Sequence, residues 1–288
     1  MQIWIIQALN SLAFGGLLFL LASGFSLIFG LMRIANLTHG AFFMLGAYVG
    51  ASAIRGIEGV DLWSAAVLAG LTVAAVGGLL ERFVLRRLGG NPLGQVLVTL
   101  GVAFIIADAC LMIWGGDPIP VPTPENLQAP VRVAGIVFPT YRLVVVGCAI
   151  IAAMALYLLL ERTRIGAMIR AGVDDMDMAR AIGIPISKLF TAVFCLGAGI
   201  AGVGGVLGGP ILSAYPGLDA DMLPLALIVV ILGGVGSLLG AFVGSFIIGF
   251  IYTFGTARFP DLAYIILFLP MIVVIAFRPQ GLFGRRGA

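Results

Sequence analysis

The chain has 288 residues, of which 61% are hydrophobic and 10% charged, and its formal net charge is +3. Soluble domains average about 45–50% apolar and about 25% charged residues, so this composition excludes a soluble protein. The basic residues lie mostly between apolar runs, which reads as membrane topology and not as nucleic-acid binding, and the absence of strand-length alternation excludes a β-barrel. The expectation is an all-α, polytopic membrane protein forming a single transmembrane domain over residues 1–288.

Apolar runs fall at 8–31, 41–54, 62–80, 96–114, 141–160, 190–210, 222–254 and 262–277. A membrane-crossing helix needs about 20 apolar residues, with a range of about 17–25. The first basic residue is Arg33, so no secretory leader is expected. The first run breaks at 30–40, where Arg33, Asn36 and His39 interrupt it. The run 222–254 is too long for one crossing and is interrupted by Gly233, Gly234, Val235, Gly236 and Ser237. It reads as two half-length helices meeting near mid-membrane, or as a re-entrant pair. Irregular backbone at membrane depth persists only inside protein or beside a water-filled cavity. Two broken segments, one in each half, therefore point to a translocation path, with Asn36, His39, Gly40, Gly233, Gly234, Gly236 and Ser237 as its candidate residues.

Asp108 lies inside the run 96–114. A carboxylate there is expected to face the interior, a cavity or a partner. It joins the candidate path, with a contact to a substrate ammonium group and a structural hydrogen bond as competing roles. Gly115–Thr140 contains six prolines, which fix φ and remove donors, so a stiff loop is expected there. It suits a platform for a docking partner, or a cap that packs over the spans.

The segment 161–188 carries five basic and four acidic residues. Inside it, Asp175–Ile182 reads as a short helix that Asp174 can cap and that Gly183 and Pro185 stop. Met176, Met178, Ala179 and Ile182 supply apolar anchors at three- and four-residue spacing, with Arg180 available to a carboxylate. Such a helix can dock in a groove of another protein. A solvated loop whose charges only set topology is the alternative.

Eleven of the sixteen Lys and Arg lie in 82–87, 161–188 and 278–286. These segments are assigned to the cytoplasm, which places 115–140, the Asp219/Asp221 loop and the N-terminus outside and the C-terminus inside. About seven to nine transmembrane segments are expected, including broken or re-entrant helices.

Stripes of small residues at Gly197, Ala201, Gly205 and Gly209, at Gly236, Gly240 and Gly244, and at Gly46 and Gly50 permit close helix approach, within the bundle or to a second membrane chain. Cys110, Cys148 and Cys195 read as packing residues. With one histidine and no Cys/His cluster, no metal site is expected, and no catalytic residue is assigned. Lys188 is the sole lysine and Leu189 follows it, so a phosphate-binding G-x-x-x-x-G-K-[ST] loop cannot be formed. The chain is expected to bind no cofactor and not to be an enzyme.

The segment from Phe29 through Arg33, Asn36, His39, Gly40 and Gly46 to Tyr48 resembles the permeases of branched-chain amino-acid ABC importers, of the LivH type. Glu81-Arg82 with Arg86-Arg87, Thr99 to Gly101, Arg164 to Gly183 with Pro185, and Ile231 to Gly240 agree with that family in order and spacing. The general ABC-permease signature of Glu-Ala-Ala, then Gly, then Pro is matched only loosely, by Met178 to Gly183. The resemblance implies an inner-membrane complex of several chains. A second homologous permease pairs with this one, and two ATP-binding cassette subunits sit below. A periplasmic solute-binding protein delivers a branched-chain or related small amino acid. It also implies that 161–188 is the coupling segment. Urea or short amides are the alternative substrates within the family. A stand-alone secondary transporter and a small-solute channel are the alternatives outside it.

Overall fold

The computed structural model describes residues 2–89, 91–133 and 136–284. Arg285 and Arg286, used above in the charge count, lie outside the described residues. The chain is built from helices α1 (Gln2–Met32), α2 (His39–Gly56), α3 (Leu62–Phe83), α4 (Pro92–Trp114), α5 (Thr140–Arg162), α6 (Arg164–Asp174), α7 (Met176–Ala181), α8 (Ile186–Leu212), α9 (Leu218–Gly233), α10 (Leu238–Arg258) and α11 (Ala263–Phe277). Six of them, α1, α3, α4, α5, α8 and α10, are long and apolar enough to cross a membrane. With the shorter α2, α9 and α11 they account for the eight apolar runs.

The helix ends carry local stop and start signals. Asp61 caps α3 by accepting from Ser64 N, and the Ser64 hydroxyl oxygen accepts in return from Asp61 N. Asn91 caps α4 with Pro92 at its first position. Ser237 caps α10 through Gly240 N.

Packing follows an internal repeat. In both halves a long helix ends in a left-handed residue, Arg33 (φ 54°) after α1 and Ser213 (φ 66°) after α8, the two non-glycine residues with positive φ among those described. A short connection follows, then a shorter helix (α2 or α9), a return helix (α3 or α10), a 3-10 turn (Leu85–Leu88 or Pro260–Leu262) and a last helix (α4 or α11). The contacts match in kind. The return helix of each half lies on the long helix of the other, α3 on α8 and α10 on α1, while α1 packs on α8 and α2 on α9. Gly24 abuts Gly197, and Leu20 abuts Gly204, so the two long helices run antiparallel and the repeat is inverted. A Cβ at Gly249 would lie 2.7 Å from Gly15 Cα, and one at Gly197 would lie 2.7 Å from Gly24 O. Glycines thus bring helix backbones of this chain into contact, among them Gly197 and Gly244 of the stripes read from the sequence.

Three expectations need correction. The run 222–254 is not a pair of half-length helices. It is an antiparallel hairpin in which α10 has 21 residues, about 32 Å at 1.5 Å per residue. Gly233 and Gly240 close its turn. The charged segment 161–188 holds two helices, α6 and α7, and not one. The cap of the second is Asp175, which accepts from Asp177 N and Met178 N, and not Asp174. Shifting the cap by one residue starts the helix at Met176.

The proline-rich segment is ordered. It forms an antiparallel hairpin of β1 (Pro130–Val133) and β2 (Ile136–Pro139), and Ile119 pairs with Ala214 beyond the end of α8. Arg55, at the end of α2, donates to Pro120 O at 2.7 Å.

Candidate functional site

The break between α1 and α2 is held by side chains. Asn36, Thr38 and His39 are at most 1% exposed. Asn36 Oδ1 accepts from Thr38 N at 3.1 Å, Thr38 Oγ1 donates to Thr99 O at 2.7 Å, and Leu37 N donates to Thr99 Oγ1 at 3.2 Å. Three bonds thus tie the break to itself and to α4. Without them the Leu37 and Thr38 amides of this turn would be left as open donors, at about 1–3 kcal/mol each where buried. His39 Nε2 lies 2.9 Å from Leu21 O. A carbonyl only accepts, so Nε2 carries the proton and Nδ1 is left as an acceptor. Among the described residues, His39 Nδ1, Asn36 Nδ2, Ser26 Oγ and Tyr48 OH are buried with no hydrogen-bond partner. Buried polar atoms in this state mark a place where water or a solute can be taken up.

The first turn of α9 closes the site. A Cβ at Gly40 would lie 2.6 Å from Asp219 O and 2.8 Å from Leu223 Cβ. Asp219 is half-buried. It was read from the sequence only as part of an acidic external loop.

The remaining candidates stand elsewhere. Gly234 (φ 99°) and Gly236 (φ 74°) form the turn between α9 and α10 with backbone angles that favour glycine. Gly236 abuts Gly30, and the C-terminal segment covers Gly233 and Gly234 through Leu282 N to Leu232 O and Phe283 N to Gly233 O. Asp219 and Gly233 are 14 residues apart on α9, about 21 Å of axial rise. Gly40 and Gly233 therefore lie at opposite ends of that helix, although the first predicted break begins at Gly30, beside Gly236. Asp108 is exposed, on the face of α4 that carries Gly101, Phe104, Ile105 and Met112, whereas Thr99, Ala103, Ile106 and Cys110 face inward. Asp108 and His39 are thus on opposite sides of α4.

At the arginine-rich end, α6 and α7 pack beneath α1 and α8. Ala179 is 2% exposed, whereas Met178 and Ile182 are 60% and 69% exposed. Of the four anchors read from the sequence, Ala179 serves the chain's own core and Met176 is packed against it. Arg180 lies on the exposed side, next to Asp177. Gly183 (φ 89°) ends the helix, and Ile184 N donates to Ala179 O.

Beside it is a charge cluster that the sequence reading did not assign. Glu81, 1% exposed, accepts from Arg86 at 3.0 Å and from Thr191 Oγ1 at 2.7 Å, and Arg86 also donates to Ser187 O at 2.8 Å. The cluster joins the end of α3 to the first turn of α8. Its signal in the sequence is an acid at the end of an apolar run, five residues before an arginine.

The family described as "Branched-chain amino acid transport system / permease component" matches residues 7–275. The chain is 28% identical to the high-affinity branched-chain amino acid transport system permease protein BraD of Pseudomonas aeruginosa, over 97% of this chain and 95% of that one. It is 27% identical to the corresponding protein LivH of Escherichia coli, again over 97% and 95%. It is 26% identical to LivM of the same organism, over 91% of this chain and 67% of that one. No solved structure matches.

Proposed function

The chain belongs to the family of permease components of branched-chain amino acid transport systems, and from that premise we propose how it works. It is a multi-pass membrane permease. In our reading it imports branched-chain amino acids across the bacterial inner membrane as one subunit of an ABC importer. ATP is bound by separate cassette subunits, and a solute-binding protein docks on the stiff hairpin loop at the opposite end. The observation that carries this reading is the family match over residues 7–275.

In this reading Asp108 faces the partner permease. A carboxylate on an otherwise apolar, exposed helix face is costly against lipid. We place the second permease over α4, with the solute's route between the two chains and Asp108 available to its ammonium group. Asn36, His39 and Gly40 act from behind α4. Their bonds to Thr99 set its position, and their unpaired polar atoms can take up water when the break rearranges. Gly233, Gly234, Gly236 and Ser237 shape the opposite, cytoplasmic end. Met178 and Ile182, with Arg180, enter a groove of a cassette subunit, while Asp175, Met176, Ala179 and Gly183 hold that helix in place.

Uptake of labelled leucine and labelled urea by cells with and without the gene tests the function. Loss of leucine uptake alone is expected. Loss of urea uptake with leucine uptake intact would assign the chain to the amide substrates instead.

A further inference from the structure

At the proline-rich end of the bundle, α1, α5, α8 and α10 line a half-open cavity of about 210 Å³. Its charged group is Arg142, half-buried in the first turn of α5. Among the described residues the guanidinium has no carboxylate partner, and its hydrogen bond goes to the neutral Asn10 Oδ1. An arginine has five donors, and one in the first turn of a membrane helix stands at head-group level. The cavity is therefore short of an anion. Its other walls are Phe14, Tyr252, Thr253 and Thr256 among others.

On the preceding turns of α10 lies a separate, open and wholly apolar surface trough of about 490 Å³, lined by Phe242, Val243, Phe246, Ile247, Phe250 and Ile251 of that helix alone. Phe246 packs on Gly15, and Phe242 meets the Phe19 ring edge-on at 5.2 Å. Both lie on α1, below the Asn10 and Phe14 that line the cavity. From Thr256 to Phe242 the helix rises about 21 Å, more than one leaflet of a hydrocarbon core about 30 Å thick.

We propose that this cleft is a binding site for an anionic phospholipid, with its phosphate on Arg142 and Asn10 and an acyl chain along the α10 trough. The guanidinium fork matches two phosphate oxygens, and basic pockets between membrane helices take lipid head groups. A small anion would satisfy Arg142 but leave the trough unexplained. An uncharged lipid would fill the trough but not neutralise the arginine. The inference is independent of what the permease transports.

Native mass spectrometry of the complex purified in detergent tests it, with phosphatidylglycerol and phosphatidylcholine added at equal concentration. The wild-type complex should retain phosphatidylglycerol in preference. Arg142→Gln should lower that retention about fivefold, the effect of one basic residue near a lipid surface, and Arg142→Lys should restore part of it. Val243→Trp, which fills the trough and leaves the charge untouched, should lower retention as well. This keeps the test valid if Arg142→Gln fails to assemble. Equal retention by the wild type and Arg142→Gln would overturn the proposal, as would unchanged retention in Val243→Trp. Displacement of the lipid from the wild type by inorganic phosphate or free leucine would make the cleft a small-anion site and also overturn it.

Discussion

A side-chain carbon at Gly40 would come within 2.6 Å of Asp219 O, so the second helices of the two halves, α2 and α9, start against each other. This contact joins the two copies of the inverted repeat at the place where each chain direction is broken. Any rearrangement of the first break has to move it.

Replacing Gly40 with Val should therefore abolish leucine uptake and destabilise the protein by about 1–3 kcal/mol, as an overpacked core position does. Gly147→Ala is the control. A Cβ there meets nothing within 4 Å, and a helical glycine replaced by alanine gains roughly 0.5–1 kcal/mol. Thermal unfolding in detergent, with uptake measured in parallel, separates the two. Equal behaviour of both variants would show that the contact has no special role.

Thr99→Val preserves shape but removes the acceptor of Leu37 N. The unpaired donor should cost about 1–3 kcal/mol, and uptake should fall further than the loss of folded protein explains, since Thr99 links the break to α4. Uptake that merely tracks the amount of folded protein would reduce this link to a structural bond.

Much of this architecture is legible in the sequence. The break near Asn36–Gly40, the glycine contacts and the short helix after Asp175 follow from apolar run lengths, small-residue spacing and capping chemistry. What was not legible depends on facing. The Gly233–Ser237 interruption looks like the Asn36–Gly40 break, but it is a hairpin turn, because α10 continues for a full span. The structural counterpart of the first break is 213–217, where Ser213 and Tyr215 carry little hydropathy signal and an isolated positive φ has no composition signature. Ala179 looked like a docking anchor because periodicity gives the spacing of a face, not which side the bundle occupies. The Glu81–Thr191 bond spans 110 residues, beyond any local pattern.

The charge cluster gives a stability prediction. Arg86→Met leaves Glu81 buried with Thr191 as its remaining side-chain donor. Breaking a fully buried pair costs about 3–5 kcal/mol. Arg86 is 38% exposed in its side chain, so solvent screening lowers the expectation to about 1–3 kcal/mol. The double variant Arg86→Met with Glu81→Gln should recover part of the loss, because no unpaired charge remains. A double variant less stable than the sum of the single effects would contradict the pairing.

Orientation can be read with a membrane-impermeant thiol reagent on intact cells, in a background where the native cysteines are replaced. A cysteine at Asp177, whose side chain is 95% exposed, should be protected if it faces the cytoplasm. One at Glu125, in the proline-rich loop, should react. The reversed pattern would invert the topology and move the binding-protein platform to the other side.

The central claim is that this permease is driven through the exposed side of α7. It is tested most directly by measuring leucine uptake and ATP hydrolysis together in proteoliposomes that contain the whole complex, with Ile182→Asp as the variant. Ile182 is 69% exposed, so a charge there should spare the fold, but in a docking groove it would be buried without a partner. The account predicts that uptake falls at least about tenfold, the equivalent of roughly 1.4 kcal/mol in the coupling contact, with the permease retained in the membrane and ATP hydrolysis uncoupled or its subunits released. Uptake and substrate-stimulated hydrolysis both at wild-type levels would contradict it.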